Sequence, residues 1–422
     1  FQFESEGGGN IQPETVSIPV SGQPALQPWL GSGVLSQAGE ATWPILLPLS
    51  FEPGSAQISL ELYPSLPAFM LDALKTMDVY PPDRTEAVIS NSLAVIEVYR
   101  AFQDQGIDTS GLQARMDYHL QSGVNYLGAT QNIDGGWGWV PGADSDSLIA
   151  AYAIMGLYKS SQMGIQVDSA VIQKAQDYLN SVLNSPGNTV QTWKLDRLVF
   201  IHYALQETGR GSQDLAALYE QRDRMSIWAQ ALLAMAFELN APGSGEARSL
   251  IEGISSQAIQ ASEGVHWPVG ESAPQNLASA EYSTAAAAIA LARLDPTSEL
   301  LPESLRYLIS RQNQGVYSHI GGQWASSFET AWALRAFSES LRYTGGWQSS
   351  YSLVASIGEA AAVPRLKVDE QSFLESLTYY QEIELDPQTE GSMTVRRDDG
   401  VGSLYYRMVM QAMPAPKTIT AL

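Results

Sequence analysis

The stretch Thr85-Glu-Ala-Val-Ile-Ser-Asn-Ser-Leu-Ala-Val-Ile-Glu-Val-Tyr-Arg-Ala-Phe102 decides the fold. On a helix, Val88, Val95, Tyr99 and Phe102 make one apolar stripe, and Ile89, Leu93 and Ile96 make a second. A helix that is apolar on two sides is buried on two sides. More polar helices such as Asp168 to Leu183 alternate with helices of this kind, as expected when an inner layer touches both a core and an outer ring. From residue 65 to 346 the chain reads as roughly twelve helical segments of about 12 to 20 residues, separated by short Gly, Pro, Asn or Asp breaks. The predicted fold class is mainly α, an α/α toroid of about six helical hairpins.

Weak internal repetition supports the toroid. Gln131-Asn-Ile-Asp-Gly-Gly-Trp137, Gln260-Ala-Ser-Glu-Gly-Val-His-Trp267 and Gln312-Asn-Gln-Gly-Val-Tyr317 each follow one helix and precede another, so each marks the same kind of loop. Both ends of the chain have a different texture. Residues 1–64 are rich in Gly, Pro, Ser and Gln, with alternating stretches such as Thr15 to Val20 and Ala56 to Leu62 that read as strands. In 347–422 the β pattern returns at Tyr351 to Ile357, Glu382 to Leu385, Ser392 to Arg396 and Ser403 to Met410, with Gly400 and Gly402 marking a hairpin-like turn. Neither end buries enough alone, so the two are expected to pair into one discontinuous β-sandwich, with the helical unit 65–346 inserted in it.

Composition bounds the function. With 422 residues, two folding units are the prior. Hydrophobic residues at 45% and charged residues at 16% support a sizeable core and argue against disorder. A formal net charge of −22 disfavours nucleic acid, which needs a basic patch to release counterions. The absence of Cys excludes disulfides, thiolate metal sites and thiol nucleophiles. No apolar run reaches the roughly 18 to 20 residues of a membrane span, so no membrane insertion is expected, and the N-terminus lacks the order of a signal peptide. The chain starts on Phe1 and stops at Leu422 as though cut from a longer polypeptide.

In Val79-Tyr-Pro-Pro-Asp-Arg-Thr-Glu-Ala-Val88 the prolines stop the preceding element, Asp83 is placed to cap a helix, and Glu86 sits three residues later in a capping box. An acid in the first turn is favoured by about 0.5–1 kcal/mol, which accounts for Glu86 without chemistry. The same stretch resembles the Tyr-Pro-x-x-Cys-x-Glu-Gln segment of bacterial alpha-2-macroglobulins, with Arg84 at the Cys position and Ala87 at the Gln position. Asp134-Gly-Gly-Trp-Gly-Trp-Val-Pro-Gly-Ala-Asp-Ser-Asp146 and Leu148 to Tyr152 are similar to that family's Asp-Gly-Gly-Phe-Gly-Trp loop and Thr-Ala-Tyr helix, with Ala150 in place of Thr. Gly322-Gln-Trp-Ala-Ser-Ser-Phe-Glu-Thr-Ala-Trp-Ala-Leu334 resembles its Trp-x-Ser-Thr-x-Glu-Thr-Ala segment, and Gly402 to Arg407 the close of its CUB domain.

The resemblance implies a thioester domain flanked by CUB-like segments, from a protein that traps proteases after bait cleavage. A thioester needs a thiol and a side-chain carbonyl one helical turn apart, and arginine and alanine supply neither. The implied role is a binding and structural module, not an enzyme, acting sterically or non-covalently and without a cofactor. Proteases are the implied targets, an envelope protein is a second candidate partner, and the implied location is extracytoplasmic, in the periplasm or at the cell surface.

The sequence gives weaker support to other chemistries. Gln131 to Trp137 also resembles the loops of squalene-type terpene cyclases, but Asp144-Ser-Asp146 in a Gly/Pro-rich loop is a poor stand-in for their acid motif. Prenyltransferase zinc chemistry fails without Cys. A glycosidase needs two carboxylates about 5 to 9.5 Å apart, and 45 acidic residues leave that open. His119, His202, His266 and His319 lack metal-ligand spacing, although His266 and His319 fall in repeated loops and become neighbours if those loops share a rim. Trp137, Trp139, Trp324 and Trp332 are expected to pack in core and loops. The competing possibility is that Trp137, Trp139 and Arg84 contact a partner.

Overall fold

The computed structural model describes residues 27–45, 57–75, 77, 84–185, 191–211, 215–270, 273–312, 324–345, 348–357, 360–382 and 391–412. Twelve α-helices lie among them: α1 (Leu66–Lys75), α2 (Thr85–Asp104), α3 (Ser110–Thr130), α4 (Ser147–Gln162), α5 (Ser169–Asn184), α6 (Thr192–Glu207), α7 (Ala216–Tyr219), α8 (Ile227–Asn240), α9 (Gly245–Ser256), α10 (Ala280–Leu294), α11 (Leu300–Arg311) and α12 (Ser327–Thr344). The even-numbered helices pack in sequence, α2 on α4, α4 on α6 and so on, and α12 closes back onto α2. This is the inner ring of an α/α toroid. Its members are buried nearly all round, as in α8, where every residue from Ile227 to Phe237 is enclosed. Outer helices bury one stripe: α5 encloses only Ala175, Gln176 and Leu179. The double stripe of Thr85 to Phe102 is thus α2 facing the toroid axis on one side and its outer neighbour α3 on the other.

The strands are β1 (Gln27–Leu35), β2 (Gly39–Ile45), β3 (Gln57–Tyr63), β4 (Ile259–Ala261), β5 (Gly264–His266), β6 (Tyr351–Ile357), β7 (Ala360–Val368), β8 (Leu377–Glu382), β9 (Gly391–Arg397) and β10 (Leu404–Ala412). Two antiparallel four-stranded sheets, in the orders β1-β10-β3-β8 and β2-β9-β6-β7, form a sandwich. Each sheet mixes strands from both ends of the chain, for example Gly31 opposite Met408 and Ala41 opposite Val395. The toroid is inserted in this discontinuous sandwich. Alternation explains the facing: β6 reads buried at Tyr351, Leu353, Ala355 and Ile357 and half-exposed between them.

Three local expectations change. Gln260 to Trp267 is not only a loop, because β4 and β5 pair as a short hairpin within it. The Gly400 and Gly402 turn joins strands of different sheets and so is a crossover, not a hairpin. Both glycines have positive φ there, and a Cβ on Gly400 would lie 2.1 Å from the Ser350 carbonyl oxygen. The buried Arg397 guanidinium secures the crossover by donating to the Gly400 and Gly402 carbonyls at 2.7 Å each. Finally, Arg84, not Asp83, occupies the N-cap of α2, in extended conformation and with no side-chain cap. The capping box therefore does not form. Asp83, Tyr317 and His319 lie outside the described residues.

Candidate functional site

The N-termini of the inner helices gather on one rim, and the motifs singled out in the sequence meet there. The Thr85 N–H donates to the Trp139 carbonyl at 3.0 Å, joining the start of α2 to the Gly-Gly-Trp-Gly-Trp loop. Asp146 ends that loop, caps α4 through the Leu148 N–H at 2.8 Å, and accepts from Arg197 Nη1 of α6 at 3.2 Å. Gly135, at φ +93°, is needed because a Cβ would lie 2.3 Å from the Lys174 carbonyl oxygen.

Glu86 is enclosed, and its carboxylate accepts from Ser90 Oγ at 2.5 Å and from Ser327 Oγ, at the start of α12, at 3.1 Å. Ser90 is also hydrogen-bonded to Tyr152 of α4 at 3.1 Å. The expectation that Glu86 serves helix capping is replaced by a structural one: it ties α2 to α12 and closes the ring. The same device recurs. Asp196 of α6 accepts from Ser226 Oγ at the start of α8 at 2.6 Å, and Ser279, the N-cap of α10, bonds the Glu329 carboxylate of α12.

Burial raises the pKa of Glu86 and of Glu329, against the lowering effect of their serine partners. The folded state therefore holds these protons more tightly than the unfolded chain. Their stabilising contribution is complete below the ordinary glutamate value and is lost as pH rises through the raised one. The melting temperature is expected to fall as pH rises above the ordinary glutamate value, and Glu86→Gln to make that fall shallower. Thermal scans across a pH series check this, and an unchanged slope in the variant refutes the assignment to Glu86.

Arg84 is exposed and Ala87 half-buried at the start of α2. Trp137 is wholly enclosed and donates its indole N–H to the Leu127 carbonyl at 2.8 Å. It is unavailable as a surface contact, which corrects the partner-contact expectation for that residue. Trp139 is half-buried and reaches Asp146 Oδ2 at 3.4 Å. Trp267 and Trp324 repeat the arrangement of Trp137, donating to the Ile254 and Leu308 carbonyls at 2.8 and 2.9 Å. Two of the repeats seen in sequence, those ending on Trp137 and Trp267, thus place a loop tryptophan pinned to the end of the preceding outer helix, and Trp324, beyond the third, is pinned in the same way. His266 is half-buried, and its ring stacks on Tyr307 with centroids 4.7 Å apart.

Over 180 residues, 40% of this chain, the sequence is 25% identical to alpha-2-macroglobulin of Thermotoga maritima, of which the match covers 11%. Native alpha-2-macroglobulin of Escherichia coli, solved from domain MG7 to the C-terminus, superposes with a TM-score of 0.63 at 16% identity, over 94% of this chain and 58% of that one. The chain is alpha-2-macroglobulin-like. Salmonella alpha-2-macroglobulin reacted with methylamine gives a TM-score of 0.61 at 16% identity, over 96% of this chain and 26% of that one. This alpha-2-macroglobulin-like chain thus spans about a quarter to a little over half of the solved chains it resembles. No family model matches it.

At the opposite half of this alpha-2-macroglobulin-like toroid lies a buried charge network that sequence reasoning missed. Lys159 of α4 pairs with Glu97 of α2 at 2.5 Å. Arg335 of α12 pairs with Glu207 of α6 and approaches Glu97 to 3.8 Å. Arg293 of α10 pairs with Glu339 of α12. Burial opposes ionisation of Glu97 and Glu207, but the surrounding cations prevail and hold both well below the usual carboxylate range. The available signal was a charge inside a segment otherwise apolar all round, as with Glu97 between Ile96 and Val98. Beside the network, Leu93, Glu97, Tyr152, Ala331, Trp332 and Arg335 enclose a cavity of about 10 Å³, room for one water. Among the described residues no group of three or more His, Cys, Asp or Glu is placed to hold a metal ion. No helix among them is long and apolar enough to cross a membrane.

Proposed function

We propose that this chain is the thioester-domain region of an alpha-2-macroglobulin-like protease inhibitor that works without a thioester, by steric or non-covalent capture. One observation carries the reading: at the start of α2, in the frame of the family's reactive segment, Arg84 and Ala87 stand where the Cys and Gln would be, in a chain with no Cys at all. Neither side chain offers a thiol or a carbonyl, so no acyl group is available to a nucleophile there. In the same reading residues 65–346 are the thioester-like unit, and 1–64 and 347–422 are the two parts of a CUB-like unit. Proteases are the targets of the parent protein, the location is extracytoplasmic, and an envelope protein is a further candidate partner through Arg84 and Trp139.

An enzyme reading on the toroid has less support. The carboxylates deepest in the ring, Glu97 and Glu207, are ion-paired, and the space beside them admits one water, not a sugar or an isoprenoid.

Intact mass spectrometry of the parent protein after incubation with methylamine, and separately with an active protease, tests the proposal. The expected result is no methylamine adduct and no covalent protease conjugate while protease activity on large substrates falls. An adduct within residues 65–346 would overturn it.

A further inference from the structure

The sandwich and the toroid meet through a buried polar cluster centred on Arg407 of β10, which is 2% exposed. Its Nη1 donates to Gln312 Oε1 at the end of α11 at 2.9 Å, and its Nη2 bonds Glu61 and, at 3.4 Å, the Tyr63 hydroxyl of β3. The Tyr63 hydroxyl, with one proton to donate, lies between two carboxylate oxygens, 2.6 Å from Glu61 and 3.0 Å from Asp72 of α1. Gln312 is the third of the repeated loop glutamines. In the first repeat Gln131 serves its own loop region, donating to the Gly135 and Val171 carbonyls, whereas the side-chain carbonyl of Gln312 is taken up by the sandwich.

Beside this cluster, the Phe69 ring of α1 packs edge-on against Tyr63 at 5.2 Å and Trp324 at 6.4 Å, and Tyr405 of β10 lies at 6.3 Å. Trp324 leads directly into α12: its N–H donates to Thr330 Oγ1, and three residues on, Ser327 reaches Glu86. One end of this chain of contacts is a strand of the sandwich and the other is the rim site. Arg407 faces Glu61 of β3 and Asp72 of α1, with Tyr63 between them.

We propose that Arg407 is a positioning residue that couples the sandwich to the rim site, fixing the end of α11 through Gln312 and, with the Phe69 and Trp324 contact, the start of α12. The coupling rests on the packing of the junction and stands or falls independently of the protease-capture reading. It means that loosening the junction is felt at Ser327 and Glu86 while α4 and α6 keep their packing.

Hydrogen exchange read by mass spectrometry on the full chain tests it. Arg407→Met and, separately, Gln312→Ala are expected to speed exchange of the 324–330 amides at least about tenfold, while α4 and α6 keep their protection. Leu353→Ala, which loosens the sandwich core away from the junction, is expected to leave 324–330 unchanged. Unchanged exchange at 324–330 in Gln312→Ala overturns the coupling. An equal rise in Leu353→Ala also overturns it, because the effect would then be general sandwich stability.

Discussion

Arg335→Met is expected to lower the unfolding free energy of the toroid by about 3–5 kcal/mol, because it leaves buried carboxylates without their counter-charge. The guanidinium pairs with Glu207, bonds the Tyr203 hydroxyl at 2.6 Å, lies near Glu97, and is flanked by the Trp332 ring at 5.1 Å. Three acids (Glu97, Glu207, Glu339) and three bases (Lys159, Arg293, Arg335) balance in the enclosed network. Removing one base leaves a carboxylate with little access to water and without its closest counter-charge. Urea denaturation measures the loss. The companion experiment is Arg335→Met with Glu207→Met: if the charges act as a unit, the double variant loses clearly less than the sum of the two singles. An additive result, or an Arg335→Met protein as stable as the parent, would show that the charges lie side by side without energetic coupling.

Trp137→Ala is expected to cost about 3–5 kcal/mol through loss of an enclosed aromatic side chain, with the Leu127 carbonyl left unpaired as part of that effect. Trp139→Ala, at a half-buried position, is expected to cost less. The comparison separates packing from recognition: a tryptophan kept for a partner leaves stability intact when truncated and weakens binding, whereas Trp137 should do the reverse. Calorimetry of the two variants decides it, and a Trp137→Ala melting curve that overlays the parent would refute the packing role.

Much of the fold was legible because its signals are local. The two apolar stripes of α2, the single stripe of α5, and the alternation of β6 are set by the period of each element, and each held where it was expected. The repeated loops were visible, but their meaning was not: only the tertiary structure shows the indole N–H of Trp137 and Trp267, and of Trp324 beyond the third repeat, each meeting a helix carbonyl. Glu86 shows the limit most directly. Its position three residues after Asp83 suited a local cap, yet its partner Ser327 is 241 residues away, and no local pattern encodes such a pairing.

By itself, the sequence determined the layered helical architecture, the β character of both ends, and the absence of any thiol that a thioester would need. The tertiary structure decided which charges are enclosed and what they touch. The reason is geometric. Helical periodicity places a residue on a face of its own helix, but the environment of Glu97, Arg335 or Arg407 is made by side chains from several other elements, and that convergence exists only once the ring has closed and the two ends of the chain have paired.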